Sequence, residues 1–423
     1  MTPPAPSLRR TLTTSDAVAV GLAAMLGAGV FSVFAPAAGA AGNLLLLALA
    51  VAGAVAALNA TATAQLAAAS PVAGGAYVYG RERLGAWPGF LAGWGFVVGK
   101  TASCAAVAWT LGAYVAPGQE RWVAAVAVLG ITVLALGGVS RTAPVSRVLA
   151  AVVVASLVAV VVVGLVLDPS PATAVVPLAS PAAGPLGVLQ AAGLLFFAFA
   201  GYARVATLGE EVRDPRRAIP RAVAVSLTIV LALHLALGAV LQHRLGADLA
   251  TSTTPVADLV AGLGAPAAAG VRVVATVACA ASLLALVAGV GRTALAMART
   301  GDLPRTLARV DGGRGTPVRA ELAVAAVVTA LVLTVDLRET VGFSSFGVLL
   351  YYGVAQLAAW RQPRSERRMP RVLNLVGALA CLVLVVTLPL ASVLVGLAVL
   401  AVGLAGRWVA VRRAAVRRTP IDA

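Results

Sequence analysis

The sequence is poor in charge, and this excludes most classes of soluble protein. Only 11% of the 423 residues are Asp, Glu, Lys or Arg, whereas 60% are hydrophobic. A soluble globular protein carries about 25% charged residues. The composition therefore excludes a soluble enzyme, and we expect no separate soluble domain beside the apolar segments.

Cysteine and lysine are also scarce. The three cysteines, Cys104, Cys279 and Cys381, all lie inside apolar runs, where a cysteine acts as a small packing residue. Their spacing predicts neither a disulfide framework nor a metal site. Lys100 is the only lysine, so arginine supplies nearly all the positive charge behind the net charge of +16. In a soluble protein such a charge indicates nucleic acid. Here the arginines lie between apolar runs, which favours the lipid bilayer as the partner and no nucleic acid.

Long apolar runs make up most of the chain. About 20 apolar residues are needed to cross the hydrocarbon layer of a membrane, so each run predicts a transmembrane helix. The fold class predicted is an all-α membrane protein with twelve transmembrane helices. Spans 1 to 12 are expected at roughly 14–41, 43–69, 87–116, 122–139, 145–168, 184–209, 218–243, 267–298, 318–335, 340–360, 371–388 and 390–411.

The positions of the basic residues predict the orientation of the chain. Short cytoplasmic loops carry an excess of Lys and Arg. With the N-terminus inside, 26 basic residues fall on the cytoplasmic side and only four, Arg121, Arg244, Arg272 and Arg338, fall outside. The sequence thus predicts a multi-pass protein of the inner cell membrane with both termini cytoplasmic, in tails at residues 1–13 and 412–423.

Spans 1 and 6 are interrupted by glycine in their central parts. The interruptions lie at residues 26–31 and 197–204, five spans apart. Glycine-broken helices at matching positions in two halves point to a transporter built from inverted repeats, with its substrate near the midplane of the membrane. The repeats are predicted at residues 14–168 and 184–360, and residues 371–411 form two additional helices.

The broken helices offer backbone groups that suit an amino acid. A break frees N–H groups at the start of one half-helix and C=O groups at the end of another, and in lipid such groups must line a cavity or meet a ligand. The amides of Gly27, Ala28 and Gly29 therefore suit a carboxylate, and the carbonyls between Phe199 and Tyr202 suit an ammonium group. The alternative is that the glycines only allow close helix packing.

Three motifs carry a resemblance to a known family. Residues 27–31 read GAGVF, residues 196–202 read FFAFAGY with EEVRDPRRAIP at 210–220, and residues 297–304 read MARTGDLP with TP at 316–317. From about residue 14 to residue 371 the chain resembles the amino acid-polyamine-organocation superfamily, near its cationic-amino-acid-transporter-like branch. The resemblance implies a leucine-transporter-like fold with a 5+5 inverted repeat plus two extra helices, broken helices 1 and 6, and secondary transport of amino acids or related amines.

The resemblance also assigns roles to individual residues. It implies that the amides of Gly27, Ala28 and Gly29 hold the substrate carboxylate. It also implies that backbone carbonyls in the interrupted part of span 6 hold the substrate amino group. It places Glu211 in the cytoplasmic gate region. The alternative is that Glu211 is only a solvated acidic residue in a basic loop. The segment that the resemblance implies for amine binding comprises Phe199, Ala200, Gly201 and Tyr202.

Arg204 departs from the family pattern, in which many relatives place an acidic or small residue. A cation within a span must face a cavity or a partner. If Arg204 faces the substrate it repels cationic side chains, which predicts a neutral or acidic amino acid as the substrate. The alternative is a salt bridge toward the cytoplasmic end with Glu210 or Glu211.

Lys100 lies near the middle of span 3 and is the candidate for ion coupling. A lysine withdrawn from water can give up its proton, so Lys100 is predicted to couple uptake to protons or to stand in for a bound cation. A structural lysine bonded to helix carbonyls is the alternative. Sodium coupling is disfavoured, because such sites in this fold use paired hydroxyls on span 8 and here Ser282 stands next to Ala281.

The sequence as a whole predicts a proton-coupled secondary transporter of one amino acid, working by alternating access. Transport of cationic amino acids, exchange and export stay open, as does an amino acid sensor that transports nothing. An enzyme is not expected, because the spans offer only Lys100, Arg204 and the lone His234. No cofactor, metal ion or obligatory protein partner is inferred.

Overall fold

The computed structural model describes residues 11–70, 74–138, 143–166, 184–206, 208, 211–310 and 316–416. Every regular element in these ranges is helical, which confirms the all-α prediction for this part of the chain. The helices are α1 (Thr14–Met25), α2 (Gly29–Ser32), α3 (Phe34–Ala41), α4 (Leu45–Ala69), α5 (Ala76–Leu84), α6 (Ala86–Val115), α7 (Glu120–Leu136), α8 (Ala143–Val166), α9 (Pro185–Phe199), α10 (Ala203–Ala206), α11 (Pro215–Leu245), α12 (Pro255–Leu259), α13 (Ala265–Arg299), α14 (Val318–Thr334), α15 (Leu337–Trp360), α16 (Arg371–Thr387) and α17 (Leu390–Val416).

Nine helical segments of the described chain are long and apolar enough to cross a membrane. Three more of the predicted spans correspond to α7, α14 and α16, each of 17 residues. The chain is thus a multi-pass membrane protein, and the count of twelve crossings stays a prediction. The nine segments are Thr14–Ser32, Phe34–Ala69, Ala86–Val115, Pro144–Val166, Pro185–Ala206, Pro215–Ala250, Ala265–Arg299, Leu337–Trp360 and Leu390–Arg413.

The predicted boundaries agree with the helices where both are described. The apolar stretch that the sequence analysis divides at Pro389 is two helices, α16 and α17, with the proline between them. Residues 167–183 lie outside the described residues, and so does the predicted end of span 5 at residue 168. The tails at 1–13 and 412–423 also lie largely outside them. The division into two inverted repeats stays a prediction.

Local sequence signals account for where helices begin. Thr13 and Asp16 form a capping box at the start of α1, in which the Thr13 N–H donates to Asp16 Oδ2 at 2.9 Å and the Asp16 N–H donates to Thr13 Oγ1 at 3.3 Å. Proline stands in the first turn of α9, α11, α12 and α13, where its missing N–H leaves no helix bond unmade. Asp336 caps α15 by accepting from the Glu339 N–H at 3.0 Å.

The broken segments lie in the interior of the bundle. In the most apolar stretch of each segment, 72% of Pro185–Ala206 and 67% of Thr14–Ser32 are buried, against 17% of Leu390–Arg413 at the periphery. A peripheral helix faces lipid with apolar side chains, whereas an interior helix can leave its backbone irregular only because protein surrounds it. The interior position is therefore what allows the two interruptions to exist.

A buried charge cluster ties the loop after α13 to α5 and α17. Asp302 accepts hydrogen bonds from Arg81 Nη1 at 2.6 Å and Tyr77 Oη at 2.8 Å, and it pairs with Arg407 of α17. Both Asp302 and Arg407 are about 5% exposed, and the Arg407 guanidinium lies 4.8 Å from the Phe90 ring centroid. Burial, and then the nearby carboxylate, raise the pKa of Tyr77, so that its hydroxyl stays a donor.

Candidate substrate site

The first interruption lies where the sequence predicts it. Helix α1 ends with the Leu26 N–H bonded to the Leu22 carbonyl at 2.8 Å, and α2 begins at Gly29 without a side-chain cap at Ala28. Beyond the break, the Phe31 N–H donates to the Ala28 carbonyl at 3.1 Å. The N–H groups of Gly27, Ala28 and Gly29 bond to no carbonyl of the described helices, which is the property that suits a carboxylate. Gly27, Ala28 and Gly29 are all buried.

The second interruption separates α9 from α10. Residues Ala200–Tyr202 form one tighter 3-10 turn between the two helices. The carbonyl of Ala200 accepts a hydrogen bond from Tyr352 Oη of α15 at 3.2 Å, so α15 holds this turn in place. Phe199, Ala200 and Tyr202 are buried and Gly201 is half-buried. The predicted unwinding of both helices is present in the structure.

The two interruptions cross each other, and glycine makes the crossing possible. A Cβ on Gly201 would lie 2.5 Å from the Ala24 carbonyl oxygen of α1. A Cβ on Gly29 would lie 2.5 Å from the Cα of Ala198 in α9. Both neighbours are backbone atoms, which cannot rotate away as a side chain does. The two interruptions therefore lie in direct contact with the neighbouring broken segments.

Helix α13 contributes a hydroxyl group to this region. A Cβ on Gly27 would lie only 1.7 Å from Ser282 Oγ, so the hydroxyl lies directly against the first interruption. Ser282 is buried, and its Oγ has no hydrogen-bond partner among the described residues. The sequence analysis considered Ser282 only as half of a sodium site. Its place beside Gly27 makes it a candidate to contact the substrate.

Aromatic rings close the same region from α11 and α15. Phe199 meets the His234 ring edge-on, with centroids 5.1 Å apart, and Phe34 meets it from the other side at 6.1 Å. Tyr202 packs on Tyr352 at 4.9 Å. Neither ring nitrogen of His234 has a hydrogen-bond partner within the described ranges. The sequence offered no signal for Tyr352, because its partner, the Ala200 carbonyl, is 152 residues away.

Lys100 lies at the middle of α6, and α6 packs closely on α15. Its neighbour Gly99 would place a Cβ 3.0 Å from the Ser344 carbonyl, and Ser103 Oγ lies 2.7 Å from Ser344 Oγ. The Lys100 side chain is half-buried, and its ammonium makes no hydrogen bond or ion pair with the described residues. Cys104, one turn further along, is the titratable group that interacts with it.

Arg204 and Glu211 lie at the end of the second broken segment. Arg204, in α10, is exposed and interacts electrostatically with Arg292 of α13 and with Glu211. The backbone of Glu211 is held by the N-terminal segment, because the Leu12 N–H donates to the Glu211 carbonyl at 3.0 Å. Glu210, the other acidic residue considered for Arg204, lies outside the described residues.

The N-terminal segment joins the broken helices at this end. The Arg213 N–H donates to the Leu12 carbonyl at 2.9 Å, which completes a two-bond bridge next to Glu211. Asp16 of α1 forms an ion pair with Arg147 of α8 at 2.7 Å. These contacts fasten the start of α1 to the loop after α10 and to α8.

The crossing of two interrupted helices inside a multi-pass bundle is typical of transporters that bind their substrate at discontinuous helices. The described residues hold no group of His, Cys, Asp or Glu that could bind a metal ion.

The chain belongs to the amino acid permease family, whose family model matches residues 12–406. It is 50% identical to an uncharacterized transporter of Mycobacterium tuberculosis (strain ATCC 25618 / H37Rv), over 97% of this chain and 93% of that protein. It is 28% identical to cationic amino acid transporter 6, chloroplastic, of Arabidopsis thaliana, over 84% of this chain and 66% of that one. It is 26% identical to the methylthioribose transporter of Bacillus subtilis (strain 168), over 83% of this chain and 81% of that protein. The resemblance stated from the motifs is thus confirmed, and these relatives are all named as transporters.

Proposed function

We propose that this protein is a secondary active amino acid transporter of the inner membrane that works by alternating access. The crossing of the two interrupted helices, with Gly29 against Ala198 and Gly201 against Ala24, is the observation that carries the proposal. In this proposal the crossing presents free amides and free carbonyls to the same substrate, and a zwitterion needs both. The proposed frame is twelve helices in two inverted five-helix repeats plus α16 and α17, with both termini cytoplasmic and no obligatory protein partner.

The substrate carboxylate binds to the amides of Gly27, Ala28 and Gly29 in this proposal. Val33 joins α2 to α3 with helical backbone angles, so the positive end of a longer helix dipole points at the carboxylate. The ammonium group binds to the carbonyls of the turn that ends α9, from Phe199 through Tyr202, where the helix dipole is negative. Ser282 Oγ supplies a further polar contact beside Gly27.

The proposed substrate is a neutral or acidic amino acid. Two arginines, Arg204 and Arg292, lie close enough to interact at one end of the broken segment, and Glu211 offsets only part of their charge. A positive route disfavours a cationic side chain. A cationic amino acid is the second candidate, because relatives 27 to 28% identical are named cationic amino acid transporters.

Transport by purified protein in liposomes tests the proposal. Radiolabelled amino acids are offered one at a time, with and without an acidic exterior. We expect accumulation of one or a few neutral or acidic amino acids, larger with the pH gradient than without it. Absence of uptake and of exchange for every amino acid would remove the proposal, and strongest uptake of lysine or arginine would replace it with the second candidate.

Lys100 is proposed to couple transport to protons, and Glu211 to act in the cytoplasmic gate. Support for the first role is that the Lys100 ammonium has no carboxylate partner in the described part of the chain. A fixed charge inside the membrane without a partner is costly, and proton exchange removes the charge. In Lys100→Met we expect uptake driven by the pH gradient to fall about tenfold, with exchange of internal for external substrate retained. Unchanged gradient-driven uptake would disprove the coupling role.

A further inference from the structure

Arginines from two separate loops meet at the end of α4. The Arg368 Nη2 group donates to the Arg216 carbonyl at 2.6 Å, and the Arg368 N–H donates to Gln65 Oε1 of α4 at 3.3 Å. These bonds join the loop after α15 to the start of α11, although the bonded residues are 152 positions apart in sequence. We call the joined segments, residues 211–221 and 361–371, the basic surface. Its arginines are Arg213, Arg216, Arg217, Arg221, Arg361, Arg364, Arg367, Arg368 and Arg371.

The basic surface carries an excess of positive charge that its own acidic residues do not balance. The two segments contain nine arginines and three acidic residues. Of these three, Glu366 pairs with Arg83 of α5 at 2.6 Å, and Glu211 interacts with Arg204 of α10. Both are thus engaged by arginines from outside the surface. Most of the arginine charge is left for a partner that the chain itself does not supply.

Like charges are crowded on the basic surface. Arg367 is half-buried, and Arg364 and Arg371 lie close enough for their charges to interact with it. Two helices also begin here, α11 at Pro215 and α16 at Arg371, and neither has a side-chain cap at its first turn. The positive ends of both helix dipoles add to the arginine charge. A bound anion would offset the repulsion among these groups.

Membrane topology explains only part of this arrangement. Short cytoplasmic loops are rich in arginine whatever they bind, and the loop after α13, with Arg305 and Arg309, is an example on the same predicted side. Topology does not require two loops to be bonded to each other. Nor does it require their arginines to be crowded beside the starts of two helices. These features favour a bound anion.

The basic surface passes directly into an apolar surface that faces lipid. Val372 follows Arg371 in α16 and is 59% exposed, and Val225 of α11 lies one turn after Arg221 and is 47% exposed. The Arg371 guanidinium lies 6.0 Å from the Trp360 ring centroid, and tryptophan is typical of the level of the lipid headgroups. The exposed apolar side chains on this face of α16 are Val372, Leu375, Val376, Leu379, Leu382 and Val386.

We propose that the basic surface binds the headgroup of an anionic phospholipid whose acyl chains lie along the exposed face of α16. Arginine pairs with phosphate oxygens through two parallel N–H groups, and clusters of basic residues beside a transmembrane helix bind anionic lipids. The apolar side chains next to the arginines favour a lipid over a free phosphate ion, which would gain nothing from them. One headgroup held by both loops connects the start of α11 to the start of α16.

Native mass spectrometry of the full chain in detergent tests the site. Phosphatidylglycerol, which is anionic, and phosphatidylcholine, whose net charge is zero, are titrated with identical acyl chains, so that the headgroups alone differ. We expect phosphatidylglycerol to bind at least about tenfold more tightly. Its binding should weaken as the salt concentration rises, because ions screen the arginine charge.

One arginine from each loop tests whether both loops contact the same lipid. Arg216→Gln in α11 and Arg371→Gln in α16 should each raise the dissociation constant for phosphatidylglycerol about fivefold and leave that for phosphatidylcholine unchanged. Arg305→Gln and Arg319→Gln are the matched controls, since they remove the same charge from exposed positions on the same predicted side. The controls should bind both lipids as the unaltered protein does. All four side chains are exposed, and thermal unfolding should show that every variant is folded.

Four results would overturn the lipid site. Equal affinity for the two lipids would remove it, and an equal loss in the controls would show a general attraction of charge. A loss in only one of Arg216→Gln and Arg371→Gln would show that the loops form no joint site. Complete displacement of phosphatidylglycerol by millimolar inorganic phosphate would assign the surface to a free anion. No substrate is needed, so lipid binding as expected with a failed liposome assay would reject the proposed function and retain the lipid site.

Discussion

Glycine at two positions decides whether the broken helices can meet. Gly29 and Gly201 each face backbone atoms of the other interrupted segment at distances that exclude a Cβ. Sequence motifs drew attention to both residues, but only as candidates for binding or for packing. In the structure both allow the close packing of the two segments, and their part in binding stays a prediction.

Gly29→Ala should abolish transport. The added methyl group would press on the Ala198 Cα at 2.5 Å, and separating the segments costs about 1–3 kcal/mol and displaces the binding amides. Gly289→Ala in α13 is the matched control, since nothing lies within 4 Å of its Cβ position. Uptake into liposomes at equal protein content is the measurement. Uptake by Gly29→Ala within twofold of the Gly289→Ala control would contradict the crossing.

Ser282→Ala should weaken substrate binding without unfolding the protein. Its Oγ is unpaired within the described chain and lies against Gly27, so the substrate is the partner that it would lose. Loss of one such hydrogen bond, worth about 0.5–1.5 kcal/mol, predicts a KM raised several-fold with little change in maximal rate. Thr276→Val on the same helix is the control, because the Thr276 hydroxyl bonds its own helix at the Arg272 carbonyl. An unchanged KM would remove Ser282 from the site.

The elements differ in how far their own sequence explains them. Apolar runs, the Thr13 capping box and the first-turn prolines account for where helices such as α1, α9 and α13 begin. Which helices lie inside is a matter of packing, since α17 and α6 are both apolar but only α6 is largely buried. Hydropathy does not distinguish a helix that faces lipid from one that faces the protein interior, because both surroundings are apolar.

The charge cluster at Asp302 should hold the loop after α13 to α5 and α17. Removing the carboxylate in Asp302→Ala leaves the buried Arg407 without its ion pair, a change that costs about 3–5 kcal/mol. We expect a clear loss of thermal stability in detergent. Asp214→Asn is the control, because Asp214 and Arg217 are an exposed pair 3.9 Å apart, worth about 0–1 kcal/mol. Equal unfolding temperatures for the two variants would show that the cluster contributes nothing.

The orientation of the whole molecule is predicted from charge counts and not from packing. Arginine concentrates on one side of the predicted spans, and the same side receives the N-terminal bridge at Leu12 and the Asp302 cluster. These contacts tie one end of the bundle together. They do not show which side of the membrane that end faces, which is measured separately.

Labelling of single added cysteines tests the orientation. The native Cys104, Cys279 and Cys381 are buried, so background labelling by a membrane-impermeant maleimide should be low. In whole cells Gly118→Cys should react, because residue 118 lies in a predicted outer loop with open space around it. Arg305→Cys, exposed after α13, should react only after the membrane is opened. The reverse pattern would invert the proposed topology.

The sequence by itself determined that the chain crosses a membrane many times, that two helices are interrupted by glycine, and that it resembles amino acid transporters. These properties depend on composition and on short local patterns, which need no knowledge of distant residues. The tertiary structure alone decided that the interruptions cross, that Ser282 and Tyr352 meet them, and that Asn59 bonds to Gln356 nearly 300 residues away. Such contacts arise when separate helices pack side by side. A sequence composed largely of small apolar residues does not specify which helix faces will meet.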